Sequence, residues 1–283
     1  INKEKVEIAA SISKSDLSSD LIGEYPELQG VMGKYFALTQ GFEADVANAI
    51  SDHYLPIGNN SVVPKKPISI SIAVADKIDS LVGFFLINEK PTSSKDPFAL
   101  RRSAIGLLRI IIENKLNLKI RDLINYNINL FLDQGVKSLN QNTEKEILEF
   151  LKDRMKNILR EKKIKPDIIE ASLSSHIGDG YYELYKKNLL ISKYINKEVG
   201  QNALSSYKRA FNIIEKEGKN IEGKPDAVLF RKKEEENLYK KINEIQKAFT
   251  VKEEDKNYED LLVNLSKIKP FTDNFFDNVV VND

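Results

Sequence analysis

The sequence contains no cysteine and only two histidines in 283 residues. Disulfides, thiol catalysis and thiolate-ligated zinc are therefore excluded, and two imidazoles are too few for a histidine-rich metal site. No run of about 18 uncharged apolar residues occurs, so no stretch reads as a membrane span. The most apolar segment, Ile68 to Ile87, is interrupted by Asp76, Lys77 and Asp79. No secretory signal pattern is present. An excess of one charge is lacking too: 43 basic against 42 acidic residues leave a net charge of +1. A nucleic-acid partner would have to be met by local basic patches, not by a global field. Gly218 and Gly223 have no Lys-Ser or Lys-Thr neighbour, so no phosphate-binding loop is formed. No Ser/His/Asp hydrolase elbow is present. The chain starts at Ile1 and stops at Asp283 directly after an apolar run, which predicts an excised piece of a longer protein.

What is present reads as helix, with no internal repeat and no strand alternation. Hydrophobic content of 41% and charged content of 30% fit a globular chain of one large or two ordinary domains. Val6 to Leu21 predicts a first helix. Pro26 opens a second, with Leu28, Val31, Met32, Tyr35 and Phe36 as its core-facing stripe. Phe42 to Tyr54 is a third, with Val46, Ala47 and Ile50 inward. Ile68 to Ile87 is the central helix, and Asp76 and Asp79 need partners there. Glu144 to Lys163 is a long amphipathic helix, whose last part, Lys152 to Lys165, holds seven basic residues against two acidic ones. That run reads either as a solvated face or as a phosphate contact. His176 to Gly180 reads as a turn. Tyr181 to Ile195, Ala203 to Glu217, Val228 to Phe249 and Tyr258 to Leu265 complete the helices.

The stretch from Glu89 to Ile112 organises the chain. Asp96 can cap a helix that Pro97 opens. At about 100° per residue, Arg101, Arg102 and Arg109 share one side of that helix, with Phe98 and Ile105. Leu100, Ala104, Leu107 and Ile111 cover the other, so the helix is deeply packed. The three guanidinium groups either pair with carboxylates inside the fold or grip phosphates. The expectation is a split: at least one pairs with Glu24, Glu27, Asp76 or Asp79, and at least one stays available to a phosphate.

Four blocks in this half resemble the β subunit of bacterial tetrameric glycyl-tRNA synthetase: GEYPELQGVMGKYFA (Gly23 to Ala37), DHYLP (Asp52 to Pro56), VADKIDSLVGFF (Val74 to Phe85) and KPTSSKDPFALRRSAIGLLRI (Lys90 to Ile110). SYKRAFNI (Ser206 to Ile213) and KPFTDNFFDNVVVN (Lys269 to Asn282) resemble it more loosely. The resemblance implies an all-α fold: an HD-superfamily-like helical domain (1–120), a helical linker or body region (121–200) and an incomplete anticodon-binding-type bundle (201–283). It implies a cytoplasmic, tRNA-recognising part of glycine–tRNA ligase, working with an α subunit in an α2β2 heterotetramer, with tRNA(Gly) as partner and no membrane. It further implies that ATP and Mg are used on the α subunit, so that this chain needs no cofactor and holds no catalytic residue. Lys95, Arg101, Arg102, Arg109, Lys208, Arg209 and Asn212 are the candidate tRNA contacts.

The first half also resembles the metal-dependent phosphohydrolases of the HD superfamily, in which histidines and aspartates hold a metal that activates water. Ser15-Asp16 falls where their His-Asp pair stands, Asp76 resembles their later aspartate, and His53 mimics a further histidine. Serine at 15 removes a ligand, so the expectation is a degenerate domain without metal. A metal-dependent phosphohydrolase and a purely structural subunit-contact scaffold remain the competing functions.

Overall fold

The computed structural model describes residues 2–58, 60–174, 180–217, 225–249 and 257–280. His176, assigned above to a turn, lies outside them, as do Gly218 and Gly223. Among the described residues the fold is all-helical, in two compact units, Ile1–Tyr185 and Lys186–Asp283. The helices are α1 (Lys3–Ile12), α2 (Asp20–Glu24), α3 (Val31–Thr39), α4 (Ala44–Asp52), α5 (Pro67–Leu86), α6 (Leu100–Glu113), α7 (Ile120–Asp133), α8 (Thr143–Glu161), α9 (Pro166–Ser174), α10 (Tyr181–Tyr194), α11 (Glu198–Glu217), α12 (Lys233–Phe249), α13 (Tyr258–Ser266) and α14 (Lys269–Asn278).

In the first unit α5 is the axle: α1, α4, α6, α7 and α8 all pack on it. Pro67 opens it at a position where a missing N–H costs nothing. Ile72, Ala73, Val74, Ile78, Leu81, Val82, Phe85 and Leu86 are buried along it. α6 answers with Leu100, Leu107, Leu108, Ile110 and Ile111, all buried, each contributing about 1.5–3 kcal/mol of burial. The boundary expected after residue 120 falls at the first residue of α7, and that expected after 200 falls inside α11. In the second unit α11 and α12 each pack on both α13 and α14.

Several expected elements are corrected. The helix expected over Val6 to Leu21 ends at Ile12, and a 3-10 turn (Ser15–Ser18) and α2 follow. Ser13, at its C-terminal end, donates to the Ala10 carbonyl at 2.9 Å, and in the turn that follows Ser18 and Ser19 donate to the carbonyls of Ser15 and Asp16 at 2.8 Å each, local bonds that compete with continued helix. Pro26 opens only a 3-10 turn, because Gly30 turns the chain at φ +75° before α3 begins. α3 is also rotated about its axis. Gly33 and Ala37 are buried, while Val31 and Tyr35 are 45% and 56% exposed. A Cβ at Gly33 would meet Ile50 Cγ2 at 2.8 Å, so the glycine face is the one that lets α3 approach α4.

α6 starts at Leu100, three residues after Pro97. Asp96 does supply the cap, its carboxylate accepting from the N–H groups of Leu100 at 2.9 Å and Arg101 at 3.0 Å. It reaches them across a turn in which Ala99 is left-handed (φ 55°). α12 begins at Lys233, not Val228, because the Glu235 carboxylate accepts from the N–H groups of Arg231 and Lys232. α14, opened by Pro270, is not predicted by the sequence pattern.

Candidate functional site

The three arginines of α6 do divide, but with different partners from those expected. Arg109 is 19% exposed in its side chain. It donates to the carbonyls of Gly58 at 3.0 Å and Ser61 at 2.7 Å, and to Glu113 one turn on. It staples the loop between α4 and α5 onto α6. Arg101 donates to the Thr92 carbonyl and lies 4.0 Å from Asp96, closing the turn that precedes its own helix. Glu24, Glu27 and Asp79 are exposed, and Asp76 is paired with Lys14. The carboxylates beside these arginines are local ones, Asp96 and Glu113. Arg102 and Lys95 are exposed and have no counter-ion among the described residues.

The positions that resemble an HD site form a polar cluster under α3, α4 and α5. Ser15 is exposed, whereas Asp16 is 3% exposed. Asp16 Oδ2 accepts from the N–H of Gly30 at 2.6 Å and of Gly33 at 3.1 Å. It thus occupies the electropositive start of α3, where a carboxylate is favoured. His53 is fully buried; its Nδ1 lies 2.6 Å from the Ile50 carbonyl, which places the ring proton there. Burial pulls its pKa down, so the ring is neutral. Burial, then the charges of Asp16 and Asp76, pushes the Tyr54 hydroxyl up to about 12.

Lys77, 4% exposed, donates from Nζ to the His53 carbonyl at 3.1 Å. Burial pulls it down to about 8. A Cβ at Gly106 would meet Lys77 Cε at 2.9 Å, so that glycine makes room for the lysine. Lys14 Nζ sits 2.6 Å from Asp76 Oδ1. Among the described residues no three His, Asp or Glu side chains are grouped to hold a metal ion. An ammonium against Asp76 and backbone N–H groups on Asp16 do not fit the donor set of a divalent metal.

In the second unit, α11 carries the other expected contacts. Arg209 is engaged: it donates to Asp273 at 3.3 Å and Asp277 at 2.8 Å on α14, and stands 4.9 Å over the Phe276 ring. Lys208 and Asn212 are exposed. Sequence reasoning passes over their neighbours Tyr207 and Phe211, which are 63% and 45% exposed and stacked at 5.5 Å. Their spacing of four residues is the signal that could have found them.

Comparison with known proteins places this geometry in context. A family model described as glycyl-tRNA synthetase beta subunit matches residues 1–174, which contain both α6 and the polar cluster. The glycine–tRNA ligase beta subunit of Rickettsia canadensis is 41% identical over 282 residues, covering 100% of this chain and 41% of that protein. That of Rickettsia africae is 39% identical over 282 residues, covering 100% of this chain and 40% of that protein. That of Ruegeria sp. is 34% identical over 280 residues, covering 98% and 39%. The chain spans about two fifths of the length of these relatives.

Proposed function

Because the chain belongs to the glycyl-tRNA synthetase beta subunit family, we propose that it is a tRNA-recognising part of a glycine–tRNA ligase, supporting ligation of glycine to tRNA(Gly) by ATP. On this reading ATP and Mg are used on an α subunit, and this chain assembles with that subunit. The observation that carries the tRNA contact is the state of Arg102 and Lys95. They are solvent-facing cations without counter-ions among the described residues, held on and beside a helix whose other two arginines are consumed in building the fold. Uncompensated cations on a rigid element are what a phosphate backbone requires.

Titration with glycine-specific and unrelated tRNA across salt concentrations tests the reading. Binding that favours the glycine-specific tRNA and weakens as salt rises supports it, and absence of binding at low salt overturns it. Glycine-dependent pyrophosphate exchange by this chain alone would overturn the assignment of activation to the α subunit. The phosphohydrolase reading is disfavoured by the Lys14 ammonium on Asp76. Subunit contact is a second role, favoured by Val31, Tyr35 and Leu38, which line the outer face of α3 at 45%, 56% and 40% exposure. Loss of α-subunit binding by Tyr35→Glu, with melting unchanged, would support it, and retained binding would remove it.

A further inference from the structure

In the polar cluster of the first unit, three buried polar atoms have no hydrogen-bond partner among the described residues: Asp16 Oδ1, His53 Nε2 and the Tyr54 hydroxyl. Asp16 stands in the turn after α1, and His53 and Tyr54 follow the last residue of α4. All three meet at Gly30. The Gly30 N–H donates to Asp16 Oδ2 at 2.6 Å. A Cβ at Gly30 would stand 2.8 and 2.9 Å from Tyr54 Cδ2 and Cε2, and 3.4 Å from the Ile50 carbonyl oxygen. That carbonyl accepts from His53 Nδ1 at 2.6 Å. The His53 and Tyr54 rings lie 3.8 Å apart between centroids, at 39°. Three side chains from two segments thus surround one glycine, and each has a polar atom left over.

What these atoms require follows from their protons and lone pairs. His53 is neutral and carries its proton on Nδ1, so Nε2 is an acceptor. Asp16 Oδ1 is an acceptor as well, and Tyr54 brings the one O–H donor. Two acceptors cannot bond to each other, and a single hydroxyl proton serves only one of them. Direct contact among the three would leave a buried acceptor unpaired, which folded proteins seldom tolerate. A ligand with two donors and one acceptor closes all three bonds.

Other ligands fit less well. A cation serves the acceptors but turns the Tyr54 proton towards positive charge. It also has two lysines as neighbours: Lys14 Nζ is 5.3 Å from the centre of the Tyr54 ring, and Lys77 Nζ is 3.1 Å from the His53 carbonyl oxygen. An anion faces the Asp16 carboxylate and the His53 lone pair. Asp16 is 3% exposed and His53 fully buried, which shuts out larger hydroxyl compounds. Water has the required donors and acceptor, and about three hydrogen bonds are usual for a buried water.

We propose that Asp16, His53 and Tyr54 hold one buried water molecule, which donates to Asp16 Oδ1 and His53 Nε2 and accepts from the Tyr54 hydroxyl. The site ties the turn after α1 to the end of α4 beneath the start of α3. It goes beyond the tRNA-recognising role and does not depend on it.

The test pairs a crystal structure of the full chain, at a resolution that shows ordered water, with a double-mutant cycle. The structure should show one water at about 2.6–3.2 Å from all three atoms. The cycle uses Tyr54→Phe, which keeps the ring, and His53→Asn, whose amide can still donate to the Ile50 carbonyl but lacks Nε2. Each variant loses one partner of the same water, so the second loss should cost less than the first. The unfolding equilibrium constants should depart from additivity by roughly tenfold. A Tyr54 hydroxyl bonded directly to Asp16 or His53, with no water between, overturns the proposal. So does a metal at this position, seen by anomalous scattering from manganese-soaked crystals. Additive variants overturn it as well, because they would mean that the groups are satisfied separately.

Discussion

Lys14 Nζ stands 2.6 Å from Asp76 Oδ1, joining the turn after α1 to the middle of α5. The lysine side chain is 52% exposed and the aspartate 16%. The pair thus lies at the mouth of the polar cluster, with Asp16, His53 and Lys77 behind it. Screening by solvent on the lysine side limits its worth to about 1 kcal/mol. A double-mutant cycle with Lys14→Met and Asp76→Asn should return a coupling of that size. The same relationship predicts that the purified chain carries no stoichiometric transition metal, and that a chelator leaves its melting temperature unchanged. Elemental analysis showing about one metal per chain, lost in Asp76→Asn, would contradict this.

Lys77 makes stability depend on pH in an unusual direction. Its folded pKa of about 8 lies below the ordinary lysine value of 10.5 because burial disfavours the ammonium; Asp76 opposes that effect and Lys14 adds to it. Between those two values the unfolded chain binds the proton and the folded chain does not, so stability rises with pH across the window. Below pH 8 the penalty for the buried charge is present in full, up to roughly 3 kcal/mol. Urea unfolding from pH 7 to pH 10.5 should show this rise once the background from other groups is subtracted. Lys77→Met should flatten it. A parent curve that falls through the window, with the same shape in the variant, would refute the assignment.

Arg109 and Arg102 should behave oppositely. Arg109→Ala removes charge-assisted hydrogen bonds to the Gly58 and Ser61 carbonyls and frees the loop between α4 and α5. A loss of about 2–3 kcal/mol is expected, with faster amide exchange at residues 57–66. Arg102→Ala should leave the melting midpoint unchanged and make the salt slope of tRNA binding shallower by about 0.7–0.9. Equal melting of all three proteins would remove the structural role of Arg109.

Parts of this arrangement are legible in the sequence. The ends of α5 and α8 can be read nearly to the residue, because long apolar periodicity and a leading proline or acidic start point the same way. The side of α6 that carries the arginines follows from spacing alone. Their partners do not, because two of the groups that hold Arg109 are backbone carbonyls in a loop, and carbonyls leave no mark on composition. Periodicity selects the wrong face of α3 for a related reason. Val31 and Tyr35 outweigh Gly33 on any hydrophobicity count, yet close approach to Ile50 and Asp16 selects the residue with no side chain. Apolarity measures what a residue gains by burial, not whether there is room for it.

Asp16 gives the last prediction, since its position invites a metal-site reading and its bonds give a structural one. Its Oδ2 accepts from the N–H groups of Gly30 and Gly33, fixing the left-handed turn at Gly30 and the start of α3 together. Each bond to a charged acceptor contributes about 1.5–3 kcal/mol, and removing the acceptor leaves two buried donors unpaired. Asp16→Ala should therefore destabilise the chain by about 3 kcal/mol or more. Asp16→Asn, which keeps one carbonyl oxygen in place, should cost less than half of that. A metal-ligand role makes a different forecast: Asn and Ala would be similar in stability, and added divalent metal would raise the melting temperature of the parent but of neither variant. Thermal melts of the three proteins, with and without manganese, separate the two readings. The graded series Asp, Asn, Ala, insensitive to metal, is the expected result.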